Sequence, residues 1–89
     1  MPTEKISDIL IENFNPSFLS FDFFDDNVNI VISSDCFINQ SVPERVRSVF
    51  FYLEKNAPEV IESYGVYVHT FTKEELNEVL LLHDEEAKQ

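Results

Sequence analysis

The sequence predicts a two-layer α+β domain in which helices cover one face of a three-stranded sheet. Three observations lead there. Apolar residues recur at helical spacing in three separate stretches, near the start, the middle and the end of the chain. Three shorter stretches alternate instead with a period of two. The order helix, strand, strand, helix, short connection, strand, helix interleaves the two kinds, which suits layers packed around one core.

Thr3 to Phe14 carries Ile6, Ile9, Leu10 and Phe14 on one stripe. Thr3 is the expected N-cap and Glu4 suits the first turn, where the helix dipole favours a negative charge. Asn15-Pro16 ends the helix, because proline drives the residue before it out of the α region. Too few cations accompany this stripe for it to bind an anionic membrane surface.

Phe18 to Phe24 follows as a strand, with Leu19, Phe21 and Phe23 on one face. Ser20 and Asp22 share the other face with Phe18 and Phe24. Asp25-Asp26-Asn27 is a turn signal, since Asx side chains bond nearby backbone and tolerate left-handed conformations. Val28, Ile30 and Ile32 then alternate with Asn29, Val31 and Ser33, completing an antiparallel hairpin. Asp22, Asp25 and Asp26 lack the glycine and terminal glutamate of a calcium loop, so turn chemistry is their expected role.

A polar loop, Ser34 to Gln40, leads to a second helix from Ser41 or Val42. Ser41 and Glu44 form an S-x-x-E capping box, with Pro43 tolerated in the first turn. Val46, Val49, Phe50, Leu53 and Ala57 mark the expected buried face, and Arg45, Arg47, Glu54 and Lys55 fall largely off it. Glu59 to Ser63 is a short helical turn or loop. A third strand runs from Ser63 or Tyr64 to Phe71. Val66, Val68 and Thr70 share one face, and Tyr67, His69 and Phe71 the other. Gly65, the sole glycine, marks the start of the strand or a close backbone contact. Thr72 and Glu75 form another capping box, flanked by Phe71 and Leu76 at staple positions. Leu76, Val79 and Leu80 are expected to point inward. The polar tail 83–89 is expected to fray.

The totals narrow the function. The 89 residues make one domain, and 44% hydrophobic content with nine Phe and three Tyr supplies a core without staples. A single cysteine excludes an internal disulfide and suits a reducing compartment. Met-Pro-Thr-Glu-Lys has no basic and apolar signal pattern, and no apolar run matches a membrane span, so a cytoplasmic domain without membrane contact is expected. Seventeen acidic against six basic residues give a net charge of -11. Nucleic-acid affinity rests on cations neutralising phosphates, so this balance disfavours such a partner.

An enzyme is not expected. Cys36 has Asp35 beside it, which opposes thiolate formation, and it is expected to be a half-buried loop residue. His69 is expected to be an ordinary sheet residue, and His83 lies in the tail. One glycine cannot build a phosphate-binding loop.

The stretch from Ser34 resembles the signature of the BolA-like family: S-D-x-F-x-G, then R-H-R, then V-Y-x-x-L. Ser34, Asp35 and Phe37 match, Asn39 stands for the glycine, and Arg45 and Arg47 match the arginines. Val49-Phe50 with Leu53 matches the remainder. Val66, Val68, His69-Thr70-Phe71-Thr72 and Glu75 resemble the family's last strand and T-Y-T-x-x-E-W ending. The resemblance implies the family's α-β-β-α-(α)-β-α fold over residues 1–89, similar to class II KH domains. It also implies a non-enzymatic accessory or regulatory protein in iron-sulfur and redox homeostasis, with a monothiol glutaredoxin as partner. Arg45, Arg47, Tyr64, His69 and Phe71 are the expected partner-binding residues. A transcriptional regulator contacting nucleic acid through Arg45 and Arg47 is the alternative.

In the family, a histidine opening the last strand and a histidine or cysteine in the first hairpin help hold a shared [2Fe-2S] cluster. Here those places hold Tyr64, a phenol where imidazole or thiolate suits iron, and Asp25 and Asp26. Val46 replaces the histidine between the arginines, and Leu76 the terminal tryptophan. No metal or cofactor is therefore expected, and the chain is expected to be a monomer or weak homodimer.

Overall fold

In a computed structural model, the backbone is described for residues 2–87 and the side chains for residues 3–81. Helix α1 (Pro2–Phe14) leads into strands β1 (Phe18–Phe24) and β2 (Asn27–Ser33). A single 3-10 turn (Asp35–Phe37) precedes α2 (Val42–Asn56) and α3 (Pro58–Ser63). Strand β3 (Gly65–Phe71) and helix α4 (Lys73–Ala87) close the chain. The sheet order is β1-β2-β3, with β1 and β2 antiparallel and β2 and β3 parallel. This is the expected α+β architecture.

The register explains the layers. Leu19, Ile32 and Thr70 lie abreast, as do Phe21, Ile30 and Val68, and Phe23, Val28 and Val66. Since strand side chains alternate, these three rows share one face. Val28, Ile30 and Ile32 are fully buried there, against Ile6, Leu10 and Phe14 of α1 and Val49 and Leu53 of α2. Phe14 packs against Phe37 (ring centroids 5.5 Å apart) and edge-on against Tyr52 (5.4 Å). The opposite face carries Phe18, Phe24, Tyr67 and His69, all exposed.

Several turns follow the sequence closely. Asn15 and Asp25 have left-handed φ values of 44° and 51°, ending α1 and turning the hairpin. Asn39 has φ 70°, a left-handed conformation that suits glycine or asparagine. Both capping boxes form: Ser41 with Glu44, and Thr72 with Glu75.

Other expectations need correction. α1 begins at Pro2, so Thr3 lies inside the first turn and is not the cap; proline's fixed φ suits that opening position. β3 begins at Gly65, and Tyr64 caps α3 instead. Gly65 itself opens β3, as expected, and a Cβ there would collide with the Asn27 side-chain oxygen. Cys36 is exposed, not half-buried. Phe23 faces the helical layer yet remains 38% exposed, touched there by the Tyr64 ring at the end of α3. Val46 and Phe50 are only half-buried, and Arg45 takes the buried place one turn before Val49. Leu76 and Val79 are half-buried and Leu80 is exposed, and none joins the core. The tail expected to fray, 83–89, lies outside the described side chains.

Candidate partner-binding surface

The loop from Ser34 is built to hold α2 in place. Ser34 is buried; its hydroxyl donates to the Phe14 carbonyl (2.6 Å) and accepts from the Cys36 N–H (3.1 Å). The Ser34 N–H also donates to the Phe71 carbonyl (3.0 Å). One serine thereby ties the end of α1, the 3-10 turn and the end of β3 together. Phe37, fully buried, fills the space this leaves. The signature residues Ser34 and Phe37 thus serve packing.

Arg45 is 7% exposed, a low value for a charged side chain. Its Nη1 and Nη2 donate to the two Glu75 carboxylate oxygens at 2.6 and 3.4 Å, and its Nε donates to the Gln40 carbonyl at 3.0 Å. The guanidinium also lies 6.0 Å from the Phe37 ring centroid. Such a planar fork suits a carboxylate with two parallel bonds. Glu75 Oε1 additionally accepts from the Thr72 N–H (2.8 Å), while Thr72 Oγ1 accepts from the Glu75 N–H (3.2 Å). One carboxylate therefore caps α4 and fastens it to α2. The Arg45 guanidinium and the Thr72 N–H hold the Glu75 carboxyl below its ordinary value. The burial of Arg45 corrects its expected place off the buried stripe: the long stem runs along the core while its head finds a carboxylate 30 positions away.

A cleft of about 520 Å³ opens over this clamp. Asp35, Ile38 and Asn39 form one wall, and Lys73, Glu74 and Asn77 at the start of α4 form the other. Ile38 stands exposed on its rim.

The remaining predicted residues do not converge on that cleft. Phe71, half-buried, adjoins it through Thr72. Arg47 lies exposed on α2, in a shallow depression with Glu44, Ser48, Phe51 and Tyr52. His69 lies exposed on the open sheet face, abreast of Val31 and Ser20. Tyr64 sits at the far end of β3, half-buried, its ring edge-on to Phe23 at 5.7 Å. Sequence reasoning missed Glu75 as the partner of Arg45, although both fall within the quoted signature. It also missed Asp35 and Ile38 as walls of the cleft.

The hairpin turn does approach Tyr64, since the Gly65 N–H donates to the Asp26 carbonyl (2.9 Å). That neighbourhood offers a phenol and the carboxylates of Asp25 and Asp26. Iron-sulfur clusters take thiolate or imidazole ligands, so this oxygen donor set does not fit the family's shared cluster. Among the described residues, no group of three His, Cys, Asp or Glu side chains could hold a metal ion, and no helix is long and apolar enough to cross a membrane.

No protein-family model matches this sequence, and no curated protein matches it. Solved structures do. BolA1 from Arabidopsis thaliana superposes with a TM-score of 0.69 at 19% identity, covering 81% of this chain and 92% of that one. The BolA domain of SufE1 from Arabidopsis thaliana gives 0.67 at 20% identity, with the same coverage. With its element order, mixed three-stranded sheet and anchored last helix, the chain has the BolA-like fold.

Proposed function

We propose that this chain is a non-enzymatic, BolA-like accessory protein that binds a monothiol glutaredoxin-type partner without contributing a cluster ligand. The reading is supported by the BolA-like fold combined with the resemblance of Ser34, Asp35, Phe37 and Arg45 to the family signature; in this chain Ser34 and Arg45 tie the elements around the cleft together. The cleft between Asp35, Ile38 and the start of α4 is the surface on which the partner docks, with Phe71 at its edge. The donor set of Tyr64, Asp25 and Asp26 argues for a contact made through side chains rather than through iron. Binding nucleic acid through Arg45 and Arg47 has no comparable support, because Arg45 is buried and already bound to Glu75.

The test is a titration of the full chain into a monothiol glutaredoxin, apo and cluster-loaded, followed by gel filtration and visible circular dichroism. A one-to-one complex is expected in both cases, with the cluster spectrum unchanged. No complex, or a new spectrum of histidine-ligated type, would overturn the proposal. Ile38→Asp is expected to weaken the complex at least ten-fold while leaving the far-ultraviolet spectrum intact.

A further inference from the structure

Strand β1 is an open sheet edge whose one charged residue is Asp22. It is seven residues long, pairs with β2 without a bulge, and contains no proline, lysine or arginine. Alternate residues along its free side present unpaired N–H and C=O groups, a template for one more strand. β1's principal backbone neighbour is β2, whereas β3 is also approached by α2, α3 and α4. Phe18, Phe23 and Phe24 are each exposed by about two-fifths, on both faces of this edge.

The neighbouring charge selects the occupant. Helix α1 overhangs the middle of β1, and between them lies a cleft of about 550 Å³ lined by Thr3, Glu4, Ser7, Asp8 and Phe21. Glu4 and Asp8, one turn apart, supply its charge. Both are exposed, and neither makes an ion pair among the described residues. We propose that β1 takes up an extended segment of a partner protein as a fourth strand, with a lysine or arginine opposite Phe21 reaching between Glu4 and Asp8.

Strand alternation then fixes the rest of the pattern. Residues on the outer face opposite Phe18 and Phe24 are apolar, to pack beside the exposed rings. A second copy of the chain is a poor occupant. Antiparallel pairing of two β1 strands about Phe21 would set Glu4 and Asp8 of one copy against those of the other. Each copy also carries a net charge of -11. The site lies away from the clamp and does not depend on the glutaredoxin proposal.

The experiment uses the full chain labelled with nitrogen-15 and an eight-residue peptide of alternating Lys and Val. Matched probes are an alternating Glu and Val peptide and a Lys and Val peptide with a central proline. The Lys and Val peptide is expected to shift amides within Phe18–Phe24 and near Glu4 and Asp8, and to slow exchange of the outward β1 amides. The two control peptides are expected to do neither. The exposed double change Glu4→Gln with Asp8→Asn is expected to weaken binding at least ten-fold without altering the remaining spectrum. Shifts spread over the whole acidic surface, equal binding of the proline peptide, or self-association through β1 would each overturn the proposal.

Discussion

At Arg45 a single side chain joins three parts of the molecule: the loop at Gln40, the ring of Phe37 and the first turn of α4. Replacing it with alanine removes the packed stem together with the paired charge. Arg45→Ala is expected to cost about 2 kcal/mol in denaturant unfolding, the scale of a lost charge-assisted bond plus its packing. Lysine at this position would keep the charge but lose the two parallel bonds, so Arg45→Lys is expected to recover less than half of that loss. Glu75 makes the same clamp sensitive to acid. Its folded-state carboxyl lies below the ordinary 4.5, so its contribution is fully present above that value and is lost as pH falls through the folded one. Glu59, held down by Lys5, follows the same direction but is fully exposed and contributes little. Falling pH also relieves the chain's acidic self-repulsion, which acts in the opposite sense. The informative quantity is therefore the stability of the natural chain minus that of Glu75→Gln across pH 3 to 6. That difference is expected to shrink toward the acid end; a difference independent of pH would mean that the clamp is not titrating. At Asn39, φ 70° makes glycine acceptable and a branched residue costly. Asn39→Gly is expected to stay within about 0.5 kcal/mol, while Asn39→Val loses about 1 kcal/mol or more, read from chemical denaturation.

Each element owes its place to a different balance. Strand β2 is held from both sides and buries Val28, Ile30 and Ile32 completely, so it anchors the sheet. Ile30→Ala is expected to cost about 2–5 kcal/mol, the range for a large core aliphatic that leaves a cavity. Helix α2 meets that face through Val49 and Leu53, with Arg45 continuing the line toward its N-terminus. Helix α4 is different: no described side chain of it enters the core, and Leu80 and Leu81 are exposed. Its attachment rests on the first turn, where Thr72 and Glu75 do the capping and clamping. Hydrogen exchange is therefore expected to be faster along α4 than in β2 or α2, and faster still in Glu75→Gln. Equal protection of α4 and α2 in the natural chain would refute this.

Across the whole molecule, a charge of -11 on 89 residues works against compactness. Screening reduces that repulsion, so raising salt from low ionic strength to 0.15 M is expected to raise the melting temperature, though the Arg45 clamp itself is partly screened. Sequence periodicity alone was enough to place every strand and helices α1 and α2, because burying one face imposes a period of two or 3.6 wherever the chain contributes to a core. Local motifs also placed both capping boxes, the second of which marks the start of α4, and the Asx turn of the hairpin, since these depend on residues within a few positions of one another. Tertiary structure alone decided that Arg45 is inside, that β3 runs parallel to β2, and that α4 stands apart from the core. Local pattern treats a charge as exposed, because an unpaired buried charge is too costly. Only the arrival of Glu75, 30 positions later in the chain, makes the inside of the protein tolerable for that arginine. The open edge of β1 has the same origin: a strand's pattern shows which face it buries, but only the assembled sheet shows which of its sides lacks a neighbour.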